Sequence, residues 1–269
     1  MDGRPLPAAR GVLRTPPAEA FELRRWDPSP ALAPYAHWHW AVRWDLRGHA
    51  PHEQVTVGHP SAHLVVEDDG AWLYGPQRQR FERMLRDRGR AVGTRFRAGG
   101  LRPLLGTPLT TIADRRLPAS ALPGLDGDAL ARAVHAEPTL DAAAAALDAA
   151  LATLLPADVP PSTTLADRAV EELAADRSLT RVADLAARLG LSVRSLQRLF
   201  ADGVGVGPAW VVRRYRLQDA AAHATAGDEV DWAELPRELG YYDQAHLVRE
   251  FTAAIGTSPA RYAARGARR

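Results

Sequence analysis

Residues 182–200 read Val182-Ala183-Asp184-Leu185-Ala186-Ala187-Arg188-Leu189-Gly190-Leu191-Ser192-Val193-Arg194-Ser195-Leu196-Gln197-Arg198-Leu199-Phe200. The apolar period is helical on both sides of a single glycine. Thr180 is placed to cap a helix from Arg181 to Leu189, whose inward face is Val182, Leu185, Ala186 and Leu189. Gly190 closes that helix, because a helix end readily takes a left-handed residue and glycine has no Cβ to clash. Ser192 then caps a second helix, Val193 to Ala201, which turns Leu196, Leu199 and Phe200 inward. Arg194, Ser195, Gln197 and Arg198 are left on its open face. Two short helices joined through a glycine turn describe a helix-turn-helix.

The pattern recurs about fifty residues downstream. Asp231 and Glu234 read as a capping box for a helix with Trp232, Leu235 and Leu239 inward. Gly240 turns the chain and Asp243 caps again, with Leu247 and Phe251 anchoring a second exposed helix. A longer helix joins the two units, with Pro208 suited to its first turn and Trp210, Val211, Tyr215 and Leu217 available for burial. A final short helix starts at Ser258-Pro259. Pro236 is out of place if the first helix of the second unit begins at Trp232, since an interior proline removes a backbone hydrogen bond and costs about 3 kcal/mol. Either that helix starts later or the second unit is less firmly held.

Upstream the texture changes. From Phe21 to Arg97 the chain reads as strands, most clearly from Tyr35 to Leu46. There Trp38, Trp40, Val42, Trp44 and Leu46 alternate with His37, His39, Ala41, Arg43 and Asp45, which predicts the aromatics as the buried face. Val55–Val57 and His63–Val66 follow, and Asp68-Asp69-Gly70 turns the chain into Ala71–Tyr74 as a hairpin. From Pro118 to Pro156 the sequence is helical, with Leu140, Ala144, Leu147, Leu151 and Leu154 spaced three and four apart. That stripe is either a dimer seam, giving a homodimer, or a face packed on its own β unit. Pro156, Pro160 and Pro161 mark a linker. The expected architecture is α+β. An antiparallel β-barrel or sandwich spans 1–117, a helical linker with a candidate dimerisation helix 118–160, and an all-helical unit with two helix-turn-helices 161–269.

Composition narrows the function classes. The 269 residues are 46% hydrophobic and 25% charged, the balance of a chain that buries a core. No run approaches the roughly 18 apolar residues of a membrane span, and Met1–Pro5 has no apolar leader, so a cytoplasmic protein without membrane partners is expected. Cysteine is absent, which excludes disulfides, zinc–cysteine sites and thiol catalysis. The net charge of +2 is spread evenly, with 19 arginines against 18 acids up to residue 160 and 15 against 14 beyond it. Locally the balance differs: six arginines and one acid, Asp202, fall between Arg188 and Leu217. That is an electrostatic footprint for nucleic acid.

The segment Leu179 to Arg265 resembles the DNA-binding domain of AraC/XylS-type transcriptional regulators. The resemblance runs through Val182–Ser192, Leu196-Gln197-Arg198-Leu199-Phe200, Leu239–Leu247, Arg249-Glu250-Phe251 and Gly256-Thr257-Ser258-Pro259-Ala260-Arg261-Tyr262. Further upstream, Gly58–Val65 and Val92-Gly93-Thr94-Arg95-Phe96-Arg97-Ala98-Gly99-Gly100 are similar to a cupin-like N-terminal domain found in a subset of these regulators, where proline is commoner than Ala98. The resemblance implies a sensor or assembly role for that half, a small-molecule effector, and contact with RNA polymerase. It also implies that Arg194, Gln197 and Arg198 face bases.

The chemistry of those residues agrees. The major groove shows each base pair a distinct donor–acceptor pattern. Arg pairs bidentately with guanine and Gln with adenine, each pair worth about 1–3 kcal/mol of discrimination. Arg194, Gln197 and Arg198 lie at i, i+3 and i+4 on one helix wall, beside Ser195. In the second unit Gln244 suits an adenine edge, and Ala245 or Val248 a thymine methyl. His246 and Arg249 suit phosphates or a bracing role. The first unit is therefore expected to carry most of the specificity, with double-stranded DNA as the partner.

Other constellations support rival readings. His37-x-His39, followed by His49, His52, Glu53, His59 and His63, is similar in spacing to the start of a cupin metal motif, although the rest of that motif is not clear. The competing function is thus a metal-dependent enzyme on a cupin-like barrel with an accessory helical module. Structural histidines, no cofactor and no catalytic residues are the expectation set against it. Nine arginines from Arg78 to Arg102, against Glu82 and Asp87, suit a solvated strand face, an anionic effector or a phosphate track.

Overall fold

The structure, a computed structural model, describes residues 4–5, 12–14, 18–226, 234–238, 241 and 243–266. Ten strands are described: β1 Arg4–Pro5, β2 Val12–Arg14, β3 Phe21–Trp26, β4 Ala36–Asp45, β5 His52–Thr56, β6 His63–Glu67, β7 Gly70–Tyr74, β8 Phe81–Leu85, β9 Arg88–Phe96 and β10 Arg116–Pro118. Seven of them form an antiparallel sheet in the order β1-β3-β4-β9-β6-β7-β10, and β2-β5-β8 form a second, smaller one. The hairpin predicted at Asp68-Asp69 joins β6 to β7, with Glu67 opposite Gly70. The helices are α1 Arg102–Leu105, α2 Gly127–Ala136, α3 Leu140–Ala152, α4 Pro161–Ala175, α5 Val182–Arg188, α6 Val193–Leu199, α7 Pro208–Ala226, α8 Leu235–Glu238, α9 Gln244–Ile255 and α10 Pro259–Gly266. The fold is mixed α+β, sheets first and helices after. No described helix is long and apolar enough to cross a membrane.

The Leu140 stripe lies inside the chain. Asp126 and Thr139 cap α2 and α3 by accepting from Ala129 N and Ala142 N. Both helices then lie on the large sheet. Leu140, Ala144, Leu147 and Leu151 are buried in one core with Leu64, Leu73, Val92 and Phe96 from the strands. These positions are therefore not a dimer seam. Arg90 of β9 fastens the arrangement by donating to the carbonyls of Val134, His135 and Glu137 at the end of α2, at 3.0, 2.7 and 2.9 Å. A cation there meets the orphan carbonyls and the negative end of the helix dipole.

Along β4 the predicted burial is reversed in the first half and kept at the C-terminal end, where Trp44 and Leu46 are buried and Arg43 and Asp45 exposed. His39 and Ala41 are fully buried toward α3, whereas Trp38 and Trp40 are half-buried on the opposite face. Trp44 and Leu46 enter a separate small cluster with Ala20 and Leu85. Both faces of this sheet are covered, so period two separates the faces without saying which is deeper. A register shift between Ala36 and Trp38 also marks a bulge at His37.

Candidate nucleic-acid interface

The first helix-turn-helix forms as its sequence dictates, with one change at its start. The N-cap of α5 is Arg181, with no side-chain cap bond, in place of Thr180. At the other end Gly190 takes φ +65°, its N–H reaches the Ala187 carbonyl at 3.1 Å, and Leu191 N–H reaches Ala186 at 2.8 Å. That pair of bonds is a Schellman motif, which reverses the chain sharply. Ser192 Oγ accepts from Ser195 N at 3.1 Å and starts α6. Leu196 and Phe200 are fully buried behind α6 among Leu185, Ala186 and Leu173. Arg194, Gln197 and Arg198 are exposed, Ser195 is half-buried, and no described residue forms an ion pair with either arginine.

Those two cations stand out because the rest of the local positive charge is used inside the fold. Arg188 pairs with Asp176 at 2.6 Å and with Glu172 at 3.3 Å. Arg214 lies buried over the Trp210 ring and donates to the Arg78 carbonyl. Arg216 is buried, bonded to Asp219 at 2.7 Å and to backbone carbonyls at the end of α4. Arg213 approaches the Tyr241 ring. Of the six arginines counted in the sequence, Arg194 and Arg198 are exposed without an ion pair to a described residue, while Arg213, also without one, is half-buried.

In the second unit Asp243 caps α9 by accepting from His246 N at 2.7 Å, and Leu247 and Phe251 are buried as predicted. Gln244, Ala245 and Arg249 are exposed, and Val248 is half-buried. The His246 ring packs edge-on to Tyr241, a bracing contact. Pro236 is accommodated because α8 starts at Leu235: in the first turn its missing N–H breaks no helical bond. Its carbonyl accepts from Tyr241 N at 2.8 Å. The predicted capping role of Asp231, the burial of Trp232 and Leu239 and the turn at Gly240 lie outside the described residues. One flank of α9 is not free. Val248, Arg249, Thr252 and Ala253 line a cleft of about 600 Å³ whose other wall is Gln79, Arg80 and Glu82.

The two halves meet in a close joint. A π-turn, Phe200–Val204, follows α6, and its Gly203 carbonyl accepts from Gly99 N at 2.8 Å. Thr163 Oγ1 of α4 donates to the Gly99 carbonyl at 3.3 Å. Arg102 pairs with Asp202 at 2.7 Å, and Arg97 with Asp167 at 2.9 Å. Gly99 has φ +79°, and a Cβ there would lie 2.9 Å from the Thr163 carbonyl oxygen and 3.0 Å from Ala166 Cβ. Glycine meets both demands at once.

Beside the joint is an aromatic and cationic cluster. The guanidinium groups of Arg25 and Arg95 each lie 4.5 Å from the Trp38 ring centroid. Arg95 also contacts His59 and Ser61, and burial lowers its pKa to about 10. Burial, followed by the Arg95 charge, drops His63 to about 3, pushes His59 well down and leaves His37 near 4. These imidazoles are neutral at pH 7. His59 packs edge-on to Tyr215 of α7.

Residues 185–265 match the helix-turn-helix domain family, over the span that carries both recognition helices. The C-terminal unit therefore carries a helix-turn-helix domain. Residues 24–118 match a domain of unknown function (DUF6597). No curated protein matches the chain. Among solved structures, a 1.65 Å structure of ToxT from Vibrio cholerae aligns with TM-score 0.38 and 10% identity, over 78% of this chain and 88% of that one. Fatty-acid-bound ToxT aligns with TM-score 0.36 and 11% identity, over 91% of each chain. Scores this low carry no weight for fold or function.

The helix-turn-helix domain gathers Arg194, Ser195, Gln197 and Arg198 on α6, and Gln244, Ala245, His246, Val248 and Arg249 on α9. The histidine pair does not converge. His39 Nε2 lies 2.8 Å from buried Asp148 and Nδ1 lies 2.8 Å from Thr94 Oγ1. The ionised Asp148 fixes the proton on Nε2. His37, displaced by the bulge, points to Asp167 at 3.9 Å. The two-imidazole start of a cupin metal motif is thus not brought together. Much of the arginine run serves as internal ties: Arg78–Asp114, Arg83–Glu67, Arg97–Asp167 and Arg102–Asp202. No local sequence pattern points to the joint at Gly99, because the Gly99-Gly100 pair reads only as a turn signal.

Proposed function

We propose that this chain is a sequence-specific transcriptional regulator whose α6 reads bases in one major-groove segment while α9 enters the next, about one helical turn away. The observation that carries it is the unpaired stripe of Arg194, Gln197 and Arg198 on a helix held by Leu196 and Phe200. A guanidinium left unpaired while its neighbours are paired is available for guanine, and Gln197 between the two suits adenine. Gln244, with Ala245 and Val248 against thymine methyls, adds weaker discrimination.

The N-terminal unit acts as the sensor or assembly module, under a small-molecule effector or a second copy of the chain. The joint at Gly99 supports this role, because it grips the turn directly after the recognition helix. Contact with RNA polymerase follows from the family resemblance.

Selecting bound duplexes from a random pool with the full chain tests the proposal. A consensus containing guanine should emerge, and Arg198→Ala should lose about 1–3 kcal/mol at that site and relax preference at one base pair. Equal loss on all sequences would make Arg198 a phosphate anchor, and the absence of any consensus would refute sequence-specific reading.

A further inference from the structure

His37, Asp167 and Glu171 come together only in the folded chain. His37 sits at the bulge in β4, and Asp167 and Glu171 are four apart on one face of α4, so the group straddles the joint between the two halves. Their ligand-type atoms all lie within 4.8 Å of one another. His37 Nε2 lies 3.9 Å from Asp167 Oδ1, too long for a hydrogen bond. Asp167 is 9% exposed, and that Oδ1 is fully buried with no hydrogen-bond partner. Buried polar atoms are seldom left so, and an unfilled one calls for a specific explanation. Its other oxygen, Oδ2, accepts from Arg97 Nη1 at 2.9 Å, and the same nitrogen reaches Glu171 Oε1 at 3.3 Å.

We propose that His37, Asp167 and Glu171 form a three-ligand site for a divalent transition-metal ion, zinc in the first instance, which clamps the N-terminal sheet to α4. An imidazole and two carboxylates are zinc donors with bonds of about 2.0–2.2 Å, and two such bonds at a tetrahedral angle hold their donors about 3.4 Å apart. The 3.9 Å gap therefore closes by about half an ångström when a metal draws the pair together. Glu171, with a side chain 58% exposed, has room to swing inward. Arg97 then takes the place that outer partners of metal-bound carboxylates take, holding Asp167 Oδ2 while Oδ1 binds. Three protein ligands leave a fourth position for water, so the site is open on one side. The two carboxylates outweigh Arg97 by one negative charge, which favours a dication, and Arg95 nearby opposes it.

The test reads metal, not DNA, and so stands apart from the reading of the recognition helices. Chelator-treated full-length protein is titrated with Zn²⁺ by calorimetry, alongside His37→Ala and Glu171→Gln. His37→Ala leaves the Arg97–Asp167 pair in place, Glu171→Gln removes a second, more exposed carboxylate from Arg97, and circular dichroism confirms that each variant folds. The wild type should bind one Zn²⁺ per chain, and each variant should bind at least tenfold more weakly. Zn²⁺ should also raise the thermal midpoint of the wild type and leave that of Glu171→Gln unmoved. No stoichiometric binding, or binding that His37→Ala leaves intact because other histidines hold the ion, would overturn the site.

Discussion

In the first helix-turn-helix, α5 ends in a Schellman turn, α6 starts on a serine cap, and Arg194, Gln197 and Arg198 face solvent with nothing described to neutralise the two arginines. In the second, α9 has an equally sound cap at Asp243, yet its flank of Val248, Arg249, Thr252 and Ala253 shares a cleft with Gln79, Arg80 and Glu82. A duplex reaching that flank of α9 would meet Gln79, Arg80 and Glu82 on the opposite wall. The units share their capping logic and differ in what the N-terminal half leaves uncovered. Local sequence builds a recognition helix; tertiary packing decides how much of it is offered.

The largest test of that contrast removes both free cations. Arg194→Ala with Arg198→Ala should cost about 2–6 kcal/mol at the selected site if the two contacts are independent, reducing binding to its non-specific level. Binding titrations on cognate and scrambled duplexes give the measurement. If the double variant still separates the two duplexes as the wild type does, specificity lies in α9 and the contrast is reversed.

The next test concerns how the first unit is held. Gly99 and Gly190 both occupy left-handed backbone, at φ +79° and +65°. A Cβ at Gly190 meets nothing within 4 Å, whereas at Gly99 it meets Thr163 and Ala166. Gly190→Ala should therefore cost about 1 kcal/mol, the conformational penalty alone. Gly99→Ala should cost about 2–3 kcal/mol, because the contact strain is added to it. Chemical denaturation of both variants decides, and equal losses would show that the joint yields easily.

These residues also show how far the sequence could be read. Gly190, Ser192 and Asp243 act through bonds to neighbours within a few positions, and each was legible from spacing. The same holds for the hairpin at Asp68-Asp69 and for Leu196, Phe200, Leu247 and Phe251. Gly99 was legible as a turn, but its partner Gly203 is about a hundred residues away, and no local pattern joins them. The arginine count misled for the same reason. Arg188 and Arg216 find their carboxylates and carbonyls on α4 and α7 only after folding, so a net local charge overstated what DNA can meet. The β4 pattern gave the two faces and the burial of Trp44 and Leu46, but not the burial of His39, because α3 brings Asp148 to it from far along the chain.

Acid should loosen the joint in a graded way, by up to about 2 kcal/mol for each of His37, His59 and His63 at pH 5. His37 and His63 have folded pKa values of about 4 and about 3, below the ordinary 6.5, and His59 is also well below it. Below pH 6.5 the unfolded chain binds protons that the folded chain refuses, so the neutral form's contribution is whole above that pH and shrinks as pH falls toward 4 and 3. Each such histidine costs about 1.4 kcal/mol per pH unit once well below 6.5. Thermal midpoints should fall from pH 7 to pH 5, and His63→Gln should flatten the slope. A flat wild-type profile would mean that the cluster opens to solvent.

The smallest effect belongs to Arg249. It lies on the flank that shares a cleft with Arg80 and Glu82, so its guanidinium is placed to touch a phosphate at most, and a phosphate contact carries no sequence information. Arg249→Ala should weaken binding by about 1 kcal/mol or less, equally on cognate and scrambled duplexes, with the salt slope changing by no more than about one. Arg198→Ala measured in parallel supplies the scale. A loss at Arg249 that is base-specific and as large as that at Arg198 would mean that Gln79, Arg80 and Glu82 withdraw when DNA binds. The second unit would then read sequence on equal terms, and the asymmetry would belong to the free protein alone.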